Sequence, residues 1–121
     1  MALKEIVIEH YKNPCNLGEL DQANAVGYAE NAACGDIMHL YLQVVDGVVQ
    51  RATFKSFGCA PSIAAGSVLT QLLVGATVEQ AQVLGRAQVD AALGGLPPLK
   101  NHCAVLAEDA LKRAMDQYQA G

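Results

Sequence analysis

Between Ile37 and Val45 apolar and polar residues alternate, with Met38, Leu40, Leu42 and Val44 set against His39, Tyr41 and Gln43. A period of two puts one set on each face of a strand, so this segment reads as a half-buried β-strand. Asp46-Gly47 follows, a pair favoured where both central residues of a tight hairpin turn take positive φ, and Val48 to Ser56 then alternates again. With Ala25 to Glu30 as a further strand, the pattern predicts an antiparallel meander of three strands.

Elsewhere the period lengthens. Leu3, Ile6, Val7, His10 and Tyr11 recur at helical spacing, which predicts a short amphipathic helix from about Ala2 to Tyr11, stopped by Asn13-Pro14. Asn13 to Asn24 reads as loop. From Ser62 to Val74 small and apolar residues fall on nearly every side, the mark of a buried central helix, and Gly75 ends it. Thr77 with Gln80 resembles a capping box and opens a third helix ending near Leu84-Gly85. Gln88 to Leu93 predicts a short helix stopping at Gly94-Gly95, and Leu96-Pro97-Pro98 is expected to be extended. The last helix runs from about Asn101 to Tyr118. Its apolar stripe is Cys103, Leu106, Ala107, Ala110, Leu111, Ala114 and Tyr118, with Glu108–Lys112 and Asp109–Arg113 as four-apart ion pairs on the solvent side. The expected fold class is α+β, a three-stranded antiparallel sheet packed with four to five helices in a single domain over residues 1–121.

Composition narrows the class. At 121 residues, 52% hydrophobic and 17% charged, the chain suits one packed core. Ser56 to Val78 carries no charge, yet it holds Gly58, Pro61, Gly66 and Gly75. A spanning helix needs about 20 predominantly apolar residues in a row, so a helix buried in protein explains the run better than a membrane does. Four cysteines are too few for a disulfide-stapled secreted scaffold, and Met1 to Ile6 shows no signal pattern, so a cytoplasmic location with reduced thiols is expected. The net charge of −4 and the scattered basic residues argue against a nucleic-acid partner.

The candidate chemistry lies at segment junctions. Cys34 sits in a loop entering a strand, Cys59 at the start of the central helix and Cys103 in the first turn of the last, with Asp36 and His102 beside them. Helix starts favour thiolate over thiol, and thiolate is both metal ligand and nucleophile. The cysteines lack the two-residue spacing of a zinc knuckle. A lone cysteine is more often a packed core residue, and Cys103 is in phase with its helix's buried stripe. His102 alone reads as a cap or surface residue, and Asp36 alone as a loop residue. The five together point to metal or sulfur chemistry.

The segments His10-Tyr11-Lys12-Asn13-Pro14-Cys15-Asn16, Ala33-Cys34-Gly35-Asp36, Phe57-Gly58-Cys59, Leu96-Pro97-Pro98-Leu99-Lys100, His102-Cys103 and Leu106-Ala107-Glu108-Asp109-Ala110 span nearly the whole chain. In this order they resemble the IscU and NifU N-terminal type of iron-sulfur cluster assembly scaffold. The resemblance implies a scaffold, not an enzyme in the strict sense, that takes sulfur from a cysteine desulfurase, builds a transient 2Fe-2S cluster and passes it to acceptor apoproteins. It implies Cys34, Cys59 and Cys103 as thiolate ligands, Asp36 and His102 as the rest of the set, and Cys103 as first acceptor of persulfide sulfur. Leu96, Pro97, Pro98, Leu99 and Lys100 resemble the segment engaged by an Hsp70-type chaperone, with an Hsp40-type partner binding elsewhere; the remaining implied partners are a ferredoxin and an iron donor. The same donors suit zinc, and the alternative is a zinc-dependent persulfide relay of the SufU kind. A homo-oligomer is compatible with either. The chain departs from the family pattern at Cys15, read as an inert surface thiol, at Ala60-Pro61-Ser62 after the second cysteine, and at Leu3, where many relatives have an aromatic residue.

Overall fold

The computed structural model describes residues 4–32 and 35–120. Its centre is the expected meander: β1 (Ala25–Asn31), β2 (Asp36–Val45) and β3 (Val48–Phe57) pair antiparallel in that order. Asp46 and Gly47 both take positive φ, 53° and 75°, as the hairpin signal requires. Met38, Leu40, Leu42 and Val44 all face the core. A register shift between Gln43 and Val44 turns Val49 and Ala52, three residues apart, to that same face. On the other face Tyr28, His39 and Tyr41 line up, with ring centroids 4.9 and 6.3 Å apart.

Five helices complete the fold: α1 (Glu5–Lys12), α2 (Ala60–Leu73), α3 (Val78–Val83), α4 (Arg86–Ala92) and α5 (Asn101–Ala120). The α5 helix lies over β1 and β2 and α2 over β3, while α1 packs on α2 and α4 on α5. None of the helices of the described residues is long and apolar enough to cross a membrane. Thr77 caps α3 as expected, accepting from the Gln80 amide while the Gln80 side chain accepts from the Thr77 amide.

Several elements differ from the sequence reading, each for a local reason. The start at Ala2 and Leu3 lies outside the described residues; within α1 only Val7 is buried, and Tyr11 stands exposed. The α2 helix begins at Ala60, not Ser62, because Pro61 needs no N–H in a first turn. The α4 helix begins at Arg86, not Gln88: the Gly85 amide donates to Gln88 Oε1 and the Arg86 amide to Glu108 Oε2. Pro98 is not extended; Pro98–Lys100 form a 3-10 turn, with the Lys100 amide donating to the Pro97 carbonyl at 2.8 Å. The segment Asn13 to Asn24 is loop as expected, and it is pinned: the Phe54 amide donates to the Asn16 carbonyl and the Gly18 amide to the Phe54 carbonyl, which occupies the free edge of β3.

Glu108 is the clearest correction. It is buried rather than on the solvent side, and its carboxylate accepts from the Arg86 amide at 2.8 Å, from Arg86 Nη2 at 3.1 Å and pairs with Lys112 Nζ at 3.5 Å. The Arg86 amide, against the opposing effect of burial, holds this carboxyl below its ordinary value, and the Arg86 and Lys112 charges add to that. A depressed folded value stabilises the fold above the ordinary value of 4.5 and loses that contribution as pH falls through the folded value. Glu108→Gln is therefore expected to flatten the acid limb of a stability-versus-pH curve measured by urea unfolding; parallel curves for the two proteins would rule this out.

Gly27 sets how closely α5 approaches the sheet. A Cβ there would meet the Ala110 carbonyl oxygen and come within 2.6 Å of the Ala114 amide nitrogen, both backbone atoms of α5. Neither can swing aside. Gly27→Ala is expected to cost at least about 2 kcal/mol by overpacking, read from the denaturant midpoint, whereas an unchanged midpoint would mean that α5 rides freely over β1.

Candidate metal centre

Three chain junctions converge at one end of the sheet. The turn between β1 and β2 closes with the Gly35 amide donating to the Asn31 carbonyl, and Gly35 takes φ +73°, which delivers Asp36 as the first residue of β2. Cys59 is the residue that caps α2, its backbone extended at φ −76° and ψ 166°. The 3-10 turn Pro98–Lys100 hands the chain directly to α5, whose first turn carries His102 and Cys103.

The result is a tight group of donors. Cys59 Sγ lies 3.5 Å from Asp36 Oδ2 and 3.5 Å from Cys103 Sγ, and His102 Nε2 lies 3.6 Å from the same Asp36 oxygen. All four donor atoms fall within 4.8 Å of one another. Metal bonds of about 2.0–2.3 Å give tetrahedral edges of roughly 3.3–3.8 Å, so the spacing suits one ion held by sulfur, nitrogen and carboxylate oxygen. Asp36 and Cys103 are buried, while Cys59 and His102 are half-buried, which leaves one side open. The thiols of Cys59 and Cys103 are free, not paired in a disulfide.

Two residues that the sequence marked only as part of longer segments, Gly58 in Phe57-Gly58-Cys59 and Ser62 in Ala60-Pro61-Ser62, complete the surroundings. Ser62, in the first turn of α2, donates to Asp36 Oδ2 at 2.6 Å and lies 3.3 Å from Cys59 Sγ and 3.4 Å from Cys103 Sγ. Gly58 packs against the Asp36 side chain; a Cβ there would fall within 2.7 Å of the carboxyl carbon. The one signal for Ser62 was its position three residues after Cys59, the helical spacing that brings two side chains to the same face.

Electrostatics modify the expectation for Cys103. Burial pushes its thiol up to about 12; Cys59 and Asp36 push the same way, and only the Ser62 hydrogen bond opposes them. The helix-start preference for thiolate is thus outweighed, and without an ion this sulfur keeps its proton at neutral pH.

The remaining expected residues are placed as follows. Cys34 lies outside the described residues, two positions before Asp36. In the segment 96–100, Leu96 is buried and its amide donates to Asp90 Oδ1 at 2.7 Å, whereas Pro98 is exposed. Cys15 is remote from the donor group: its amide donates to Ser67 Oγ, and its sulfur accepts from Gln71 Nε2 at 3.1 Å, twelve residues or about 18 Å along α2 from Cys59. A surface cleft of about 250 Å³ lined by Leu84, Leu111, Lys112 and Met115 also lies apart from the donors, so the chemistry rests on a ligand cluster rather than a cavity.

The sequence of the NifU-like N terminal domain family matches residues 2–121. Among curated proteins, the iron-sulfur cluster assembly scaffold protein IscU 1 of Archaeoglobus fulgidus is 44% identical over 112 residues, covering 93% of this chain and 73% of its own. The iron-sulfur cluster assembly scaffold protein IscU of Haemophilus influenzae is 42% identical over 124 residues, covering 99% of this chain and 98% of its own. The crystal structure of a nitrogen-fixing NifU-like protein (N-terminal) from Brucella abortus superposes with a TM-score of 0.79 at 21% identity, over 97% of this chain and 94% of that one, and shares the fold. With a match over essentially its full length and relatives above 40% identity, the chain belongs to the NifU-like N-terminal domain family.

Proposed function

We propose that this protein is a scaffold on which a transient 2Fe-2S cluster is assembled and from which it leaves for acceptor apoproteins. The observation that carries this reading is the convergence of Asp36, Cys59, His102 and Cys103, with donor atoms within 4.8 Å, on the open end of the sheet. Cys59 and Cys103, with Cys34 two positions before Asp36 in the sequence, would supply the thiolates that iron-sulfur centres take, and Asp36 and His102 the harder, more exchangeable donors. Iron and sulfide are cargo here, so the protein's part is to hold donors in place and then let go. The relatives named as iron-sulfur cluster assembly scaffolds, at 42–44% identity, support the assignment.

Sulfur would come from a cysteine desulfurase, with Cys103 as the receiving thiol. Because Cys103 is fully buried, reception there requires the first turn of α5 to open. The segment Leu96–Lys100 would recruit an Hsp70-type chaperone, an Hsp40-type partner binding elsewhere, and its position suits release: Leu96 is buried, and any pull on it would be transmitted through the 3-10 turn to His102 and Cys103. A ferredoxin and an iron donor would complete the set of partners.

The deciding experiment is anaerobic incubation with ferrous iron, cysteine and a cysteine desulfurase, followed by visible spectroscopy and counts of iron and acid-labile sulfide. Broad sulfur-to-iron bands with equal iron and sulfide, lost in Cys59→Ser, are expected. A colourless protein that holds zinc and carries persulfide on Cys59 or Cys103 would overturn the scaffold reading in favour of a zinc-dependent sulfur relay.

Metal binding should also be strongly pH-dependent. A thiol whose value is raised to about 12 keeps its proton throughout the neutral range, so its ligation as thiolate expels that proton. Zinc affinity is expected to rise with pH between 6 and 8, roughly tenfold per unit for each proton released. Calorimetry in buffers of different ionisation heat counts those protons, and zero release would exclude Cys103 as a ligand.

A further inference from the structure

Ser62 carries a hydroxyl into the donor group although the residue is 0% exposed. Its three polar neighbours are Asp36 Oδ2 at 2.6 Å, Cys59 Sγ at 3.3 Å and Cys103 Sγ at 3.4 Å. A hydroxyl has one proton and two acceptor lone pairs, and the short contact to a carboxylate takes the proton. A lone pair can then accept from the Cys59 S–H, whereas the Cys103 sulfur, which the hydroxyl faces only as a donor, is the weaker and longer competitor for the same proton. Asp36 Oδ2 is also the oxygen that faces Cys59 Sγ and His102 Nε2. Each carboxylate oxygen has two acceptor sites, so the hydrogen bond from Ser62 leaves one of them for an ion. On its other side the carboxyl group rests against Gly58, whose missing Cβ provides the space. The carboxylate is therefore held between a donor and a backbone wall.

We propose that Ser62 is a positioning residue of the metal centre: its hydroxyl orients the Asp36 carboxylate so that Oδ2 faces the incoming ion, acting through that carboxylate and not as a ligand. The inference rests on reading Asp36, Cys59, His102 and Cys103 as the ligand group. A neutral alcohol whose proton is committed to a carboxylate is a poor ligand beside two thiols and an imidazole. A hydrogen bond behind a ligating carboxylate, by contrast, is commonly worth 10–100-fold in metal affinity, roughly the loss expected when Ser62 is removed.

The test uses Co²⁺ alone as probe, on the full chain under reducing anaerobic conditions, with affinity from competition against a chromophoric chelator and geometry from the d–d bands. Ser62→Ala is expected to weaken Co²⁺ binding by roughly 10–100-fold and to alter the d–d bands. In an Asp36→Ala background the same substitution is expected to change affinity by less than about twofold, because a residue acting through the carboxylate has nothing left to act on. Equal losses in both backgrounds would overturn the proposal and make Ser62 a ligand or a packing residue; an unchanged affinity in Ser62→Ala would overturn it as well. Should Ser62→Ala alone fail to fold, the Asp36→Ala background still decides, since it lacks the buried carboxylate that would be stranded: silence supports the proposal and a further loss refutes it. A parent protein that does not bind Co²⁺ would instead bring down the ligand-group reading together with the inference built on it.

Discussion

Burying a carboxylate beside two thiols costs free energy unless donors or an ion compensate, and this constraint organises the end of the sheet where β2, α2 and α5 meet. Asp36 and Cys103 are both taken out of water there. Part of the compensation comes from the protein, through the Ser62 hydroxyl and the half-buried His102 imidazole 3.6 Å from the carboxylate. Cys103 responds by keeping its proton. A cation bound there would stabilise carboxylate and thiolate at once.

Such a site needs its three chain segments brought to within a few ångströms of one another, and the packing below it does this with little slack. Gly27 lets the α5 backbone descend onto β1, and Gly66 makes room for the fully buried Phe54 ring under α2. Glu108 ties the start of α4 to α5 from the side, about one and a half turns from Cys103, using the Arg86 amide and guanidinium. The donor-bearing ends are thus fixed from beneath by close packing, and the segment that feeds α5 is tied to α4 through the Gly95 amide on the Asp90 carbonyl and the Leu96 amide on Asp90 Oδ1. Between α4 and α5 the chain passes through Gly94 and Gly95, both at positive φ, and one 3-10 turn.

Much of this was legible in the sequence because it follows from period and turn chemistry. The β2 alternation, the Asp46-Gly47 turn, the Thr77 cap and the buried stripe of α5 each depend on residues a few positions apart. What escaped depends on neighbours distant in sequence. Glu108 lies off the apolar stripe of its own helix, so periodicity assigned it to solvent; it is the amide end of α4, twenty-two residues away, that covers it. Helix-start position alone suggested a thiolate at Cys103, but burial against α2 and β2 outweighs a dipole effect worth at most about 2 kcal/mol. Ser62 was legible only as a departure from the family pattern, and its contact with Asp36 emerges only once β2 is laid against the start of α2.

The donor set itself explains why a site of this kind would hold its cargo without keeping it. Four matched thiolates on a closed framework bind iron-sulfur clusters durably, whereas a carboxylate already shared with a serine and an imidazole at the open edge have alternative partners in the protein. When such donors leave the metal they are not stranded. Asp36 retains Ser62, and His102, only partly buried, retains solvent, so the cost of letting go would be reduced at these two positions. Cys59 and Cys103 keep weaker contacts, to Ser62 Oγ at 3.3 and 3.4 Å, and Cys103 would regain the proton that burial favours, which movement of the first turn of α5 would admit.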